Sequence, residues 1–287
     1  MRALLPISLL LLSACGFGGI SETSTGPAVS QSAAHGGGGS SGTGSSGGGG
    51  GGTTPPPAPP SGAAVDPTGI WDLADTVDGK PVTEVALIAG GKYFALASAD
   101  QFGCGDITGG TYAIDGSMFT GSGVALLMNN CTAPNGASGY LPYTFSGYLI
   151  NTGLNLSFEV GGMLVPTLGA TMDKLYSEPS SLAKLAGNWS DGANTLTINA
   201  DGTFFEQQGS GCVINGAYTI IDATHNLYGV SFEITSCTSS LAGIAFNGLG
   251  YLDDSNPSAL HFIEDVSGPD PANAGATVLL TDNITLQ

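Results

Sequence analysis

Apolar and polar residues alternate along most of the chain after residue 66, with the period of a strand and not of a helix. In Asn194-Thr-Leu-Thr-Ile-Asn199, Thr195, Thr197 and Asn199 share one face and Leu196 and Ile198 the other, which predicts a half-buried strand. Ala200-Asp-Gly202 then reads as a tight turn into Thr203-Phe-Phe-Glu206. Segments of about four to nine residues, rich in Val, Ile, Thr, Tyr and Phe, recur between Gly, Asn and Asp, as strands joined by hairpins do. Helical character is confined to Ser180-Ser-Leu-Ala-Lys184, where Pro179 and the serines can start a single turn.

The strand pattern occurs twice, with the same landmarks in the same order. Gly69-Ile-Trp71 matches Gly187-Asn-Trp189, and Gly91-Lys-Tyr-Phe94 matches Gly202-Thr-Phe-Phe205. Gly103-Cys104 matches Gly211-Cys212, and Gly110-Thr-Tyr112 matches Gly216-Ala-Tyr218. Cys131 then matches Cys237, Phe145-Ser-Gly147 matches Phe246-Asn-Gly248, and Leu154-Asn-Leu-Ser-Phe158 matches Ala259-Leu-His-Phe262. An ordered series of this kind means an internal duplication, and each copy holds about eight strands in about 110 residues. So many short strands must remove their edges, and closure does so most completely. The expected fold is therefore all-β, with two tandem eight-stranded antiparallel up-and-down β-barrels at residues 67–178 and 182–287.

With a Gly-x-Trp at the first strand of each copy, the chain resembles the calycin group of lipocalins, avidins and related small barrels. Leu185-Ala-Gly-Asn-Trp189 with Asp201-Gly-Thr203 is similar to the start of avidin-like barrels. The resemblance implies that Trp71 and Trp189 close one end of each barrel. Lipocalins pack that tryptophan against a basic residue, for which only Lys174 in the first copy is available. Avidins line their site with several tryptophans where each copy here has one, so the pattern does not support biotin binding.

Composition changes the picture mainly before residue 66. Many of the 47 glycines and 16 prolines lie there, including the run from Gly47 to Gly52 and Pro55-Pro-Pro-Ala-Pro-Pro60, so residues 16–66 read as a disordered linker. A Gly-rich coil of about 50 residues spans roughly 40 Å. Ahead of it, residues 1–15 have a positive start and an apolar stretch too short to cross a bilayer, as a signal peptide has. Leu12-Ser13-Ala14-Cys15 resembles the lipobox of bacterial lipoproteins, which implies a lipidated, palmitate-bearing Cys15 and a membrane anchor. Gly16 after the cysteine favours the outer membrane by the same resemblance, with the barrels facing the periplasm or the surface.

Removing Cys15 leaves four cysteines, two per copy at matching positions. Of the three possible pairings the duplication selects Cys104 with Cys131 and Cys212 with Cys237, and an exported chain meets conditions that oxidise them. The balance of 5 basic to 23 acidic residues gives a net charge of −18, which would repel a phosphate backbone and excludes nucleic acid. The same charge keeps the chain soluble and self-repelling at a cell surface, and it also suits a basic protein partner.

Candidate chemistry is sparse. His225 lies in a hairpin tip and His261 alternates with Leu260 and Phe262, so neither forms a nucleophile–base pair, and no catalytic residue, metal or cofactor is expected. Asp253-Asp254 and Glu264-Asp265 end or follow neighbouring strands, but their spacing fits solvated turn acids better than a calcium loop. Met118, Met128, Met163 and Met172 read as core. Tyr140, Tyr143 and Tyr148 have no counterparts in the second copy, which makes their hairpin the candidate binding element. The expected function is a non-enzymatic, envelope-anchored binding or structural module. Its alternatives are an inhibitor of a basic hydrolase such as lysozyme, or of a protease, and a carrier of a small apolar ligand.

Overall fold

A computed structural model describes residues 66–77, 80–97, 106–127, 139–150, 153–192, 194–237, 240–256, 259–270 and 277–287. The proposed leader with Cys15, the Gly/Pro-rich linker, Cys104, Cys131 and Met128 lie outside these residues. The first copy contributes β1 (Gly69–Val77), β2 (Lys80–Ala89), β3 (Lys92–Ala97), β4 (Asp106–Asp115), β5 (Met118–Leu127), β6 (Tyr140–Ile150), β7 (Gly153–Val160) and β8 (Met163–Met172). The second contributes β9 (Gly187–Ser190), β10 (Thr195–Ile198), β11 (Thr203–Gln207), β12 (Val213–Ile220), β13 (Tyr228–Ser236), β14 (Ala245–Asp253), β15 (His261–Pro269) and β16 (Thr277–Leu286). Each set pairs antiparallel in chain order, β1 meeting β8 and β9 meeting β16, so the protein is all-β with two closed eight-stranded up-and-down barrels. No described helix is long and apolar enough to cross a membrane.

Alternation fills each barrel. Leu196 and Ile198 point inward while Thr195 and Thr197 point out, as the period of two requires. Trp189, Phe204, Tyr218, Phe232, Phe246 and Phe262 fill the second barrel, and Trp71, Tyr93, Phe119, Tyr143, Phe145 and Phe158 fill the first. Both tryptophans lie on the strands that close their barrels, and each indole N–H donates to the carbonyl four residues earlier. Trp71 reaches Pro67 at 2.9 Å and Trp189 reaches Leu185 at 2.7 Å. A backbone acceptor therefore satisfies the buried donor, while Lys174 is exposed. Cys212 and Cys237 form a disulfide that ties the β11–β12 turn to the end of β13.

The barrels do not stand apart. Outward-facing Ile70, Leu87, Phe94 and Ile107 of the first barrel join Leu249, Tyr251, Ile263 and Leu279 of the second in one buried cluster. Contact is close at Gly109, where a Cβ would lie 2.5 Å from a Leu279 methyl, so this position of β4 tolerates only glycine without a shift. The connection adds to the seam. Leu182–Leu185 is a single helical turn, α1, overlapping the segment expected to be helical, and Lys174–Ser177 before it is a 3-10 turn that the sequence pattern does not predict. Tyr176 stacks on His225 with ring centroids 4.3 Å apart, its carbonyl accepts from the Asn226 amide, and the Ser180 hydroxyl donates to the Asp222 carbonyl. His225 is thus a structural residue, held also by Asp222 at 3.2 Å.

Two expectations change. Met172 is 44% exposed because it ends β8 at the rim of the barrel, where solvent reaches it. The register also slips the repeat alignment: Tyr143 pairs with Gly123 and Phe246 with Phe232, so Phe246 takes the place of Tyr143 and not of Phe145.

Candidate functional site

The most unusual chemistry lies inside the second barrel. On β11 the inward positions are Phe204 and Glu206, followed by buried Gln208 at the strand's end. On β15 and β16, Glu264 and Asp282 are directly paired across the ladder, and both share the inward parity of Val266 and Leu280. Like charges directly opposite are destabilising in an open sheet, and more so in a desolvated interior. Burial is the main cause that raises all three carboxyls. Glu206 is pushed up to about 7, against a partial offset from the Gln208 amide. Asp282 is also pushed up to about 7, by burial and then by the charge of Glu206. Glu264 is raised well above the carboxylate range by burial and then by Asp282, and the nearby Tyr218 hydroxyl pulls it only part of the way back.

These groups line a cavity of about 30 Å³ that is partly open to solvent. Its apolar walls are Leu196, Phe204, Ile214 and Phe232, and its polar lining includes Glu206, Gln208, Tyr218, Glu264 and Asp282. The Gln208 Nε2 donates to Glu206 Oε1 at 2.8 Å, but Gln208 Oε1 has no hydrogen-bond partner, and Tyr218 Oη and Glu264 Oε2 have none but each other. A volume of roughly 10–15 Å³ holds one water, so the space takes one or two water-sized groups. Among the described residues, no three or more His, Cys, Asp or Glu side chains are grouped so as to hold a metal ion.

The first barrel carries a smaller polar group on different strands. Tyr143 donates to the Tyr93 hydroxyl at 3.3 Å, and Tyr93 donates to Glu84 Oε1 at 3.5 Å. Glu84 is pushed up to about 8 by burial and then by Asp106, and burial pushes Asp106 up to about 6. The acids of the two barrels are not equivalent. Tyr93 and Phe204 each pair with a glycine, Gly110 or Gly216, and two residues further on stand Ala95 in one barrel and Glu206 in the other. Following the ladders round each barrel puts Leu156 at the level of Glu264. Duplication therefore kept the scaffold, and the acids lie where the copies differ.

The structure separates the candidates read from sequence. Tyr143 is 3% exposed and belongs to the first barrel's core, Tyr148 is half-buried, and Tyr140 is 47% exposed, its hydroxyl meeting the Leu279 backbone of the second barrel. The three do not form one surface. Glu264 and Asp265 are neighbours in sequence but face opposite ways, Glu264 inward and Asp265 towards the side that carries Leu249 and Leu279, where burial raises it to about 7. His261 faces away from the core beside Asn283 and Thr285. Sequence reasoning missed Glu206, Gln208 and Asp282. Their signal was a polar residue at an inward position: Glu206 follows Phe204 by two, and Asp282 lies two from both Leu280 and Ile284.

No known family profile matches the chain, and no curated protein matches it. Among solved structures, the Aeromonas veronii immune modulator A aligns with 78% of this chain and 95% of its own length, at 10% identity and a TM-score of 0.32. At that score and identity it assigns neither fold nor function.

Proposed function

We propose that the chain is a non-enzymatic binding module held at a cell envelope through Cys15, and that it recognises a basic protein partner at the acidic end of its second barrel. The observation that carries this reading is the set of three acidic side chains, Glu206, Glu264 and Asp282, lining a cavity that none of the chain's lysines lines. Such groups gain most from a cation brought by a partner, and the net charge of −18 steers a basic protein towards them. Inhibition of a basic hydrolase such as lysozyme follows if the partner's active site is covered. A carrier of apolar ligands is less well supported, because ligand pockets run to roughly 300–1,000 Å³ and this cavity is small and acidic.

Titration of the purified chain with hen lysozyme over a salt series tests the reading. Binding at low ionic strength is expected to weaken steeply as salt is added, and to weaken further in a Glu206→Gln, Asp282→Asn double variant. Binding that is absent at low salt, or identical in the variant, would contradict recognition of this basic protein through the barrel.

A further inference from the structure

We propose that the cavity of the second barrel binds a primary ammonium group, carried on an alkyl stem that enters from the end where β11 runs into the Gln208–Cys212 turn. This rests on the binding reading above and names the chemistry that the site would select.

Some of the cavity's hydrogen-bonding capacity is spent and some is free. The Gln208 amide N–H is used on Glu206, so Gln208 presents its oxygen. Glu264 Oε2 and Tyr218 Oη have no partner but each other, and Asp282 adds a carboxyl on the same wall. A guest must therefore bring several donors in different directions, and an alkylammonium has three on one small atom. A volume of about 30 Å³ fits a head of about water's size. The aromatic walls suit the same guest, because Phe204 and Tyr218 stack at 4.7 Å and both line the cavity, and a cation is attracted to ring faces.

Charge sets how binding responds to pH. Glu206 from β11, Tyr218 from β12, Glu264 from β15 and Asp282 from β16 face the guest, and the charge of Asp191, beyond β9, also acts on Glu206 and Asp282. Protonated carboxyls lose their attraction for an ammonium, whereas an alkylamine stays charged to about pH 10. Binding therefore expels protons and tightens as the pH rises from about 6 to about 8.

An ammonium of this kind has two sources: a free alkylamine, or a lysine side chain of a protein. Calorimetric titration of the full chain with 1,5-diaminopentane, with a blocked peptide bearing one central lysine, and with tetramethylammonium distinguishes them. The diamine alone binding assigns the site to free amines, and the peptide binding as well assigns it to a partner's lysine. Tetramethylammonium, which has the charge but no donors, is expected not to bind. Glu264→Gln, a nearly isosteric neutral replacement, is expected to weaken binding at least about tenfold, the loss of one charge-assisted hydrogen bond. Glu206→Gln provides a second variant with the same expected direction. Failure of both amines, equal binding of tetramethylammonium, or unchanged affinity in both variants overturns the site. If lysozyme still binds while the amines fail, the cavity proposal falls and recognition of a basic partner stands.

Discussion

Raising the pH from 5 to 8 is expected to lower the melting temperature of the protein, by on the order of 10 °C. Glu84, Asp106, Glu206, Asp265, Asp282 and Glu264 all hold their protons more tightly when folded than when unfolded. A raised carboxyl contributes stability that is fully present below its unfolded value near 4 and is lost as the pH rises through its folded value. For these groups, apart from the still higher Glu264, that window closes between about 6 and about 8. The cause is burial, so ionising the folded protein means placing negative charge in a desolvated interior. Asp201 and Asp222 move the other way through hydrogen bonds from Thr203 and Thr224, but both are fully exposed and count for little. Each tenfold gain in proton affinity on folding corresponds to about 1.4 kcal/mol, and two fully effective groups already give the stated size at roughly 2–4 °C per kcal/mol. A calorimetric melting temperature that rises from pH 5 to 8 would contradict the placement of these acids.

Ile107→Asp is expected to uncouple the two barrels. Ile107 is 2% exposed on the outer face of β4, within the cluster that joins the barrels, and Ile107→Asp buries an unpaired charge there at a cost of about 3–5 kcal/mol. Each barrel keeps its own interior cluster, so the loss falls on the seam. Scanning calorimetry should then resolve two transitions where the parent shows one, and Ile107→Val should retain a single transition. A single transition within about 2 °C of the parent in Ile107→Asp would show that the seam contributes nothing to cooperativity.

The barrels were legible because the information for them is local. The alternation at Asn194 to Asn199, the Asp201-Gly202 turn and the paired Gly-x-Trp landmarks each specify a strand, a hairpin or a strand start without reference to distant residues. The cysteine pairing followed from duplication, and Cys212 does meet Cys237. The seam between barrels was not read, although it left a trace. Val85 to Ala89 and Tyr93 to Ala97 are continuous apolar runs, as strands covered on both faces have, and β15 is buried on both faces across Phe262 to Val266. The acidic cavity was harder still. Parity shows that Glu206 points inward with Phe204, but only closure shows that it meets Glu264 and Asp282 from the other side of the barrel. Tyr140, Tyr143 and Tyr148 misled for the related reason that a residue absent from one copy need not be exposed: Tyr143 is core, and Phe246 fills its place in the second barrel.

Carboxyl-carbon NMR titration of the second barrel's acids tests most directly whether they form a desolvated, unpaired site for a cation. Glu206 and Asp282 are expected to titrate at about 7 and Glu264 above the usual carboxylate range, and all three should move down when a basic ligand binds. Titration of all three near 4, unaltered by ligand, would mean that water or a cation of the chain's own already serves them, and would contradict a binding site inside this barrel.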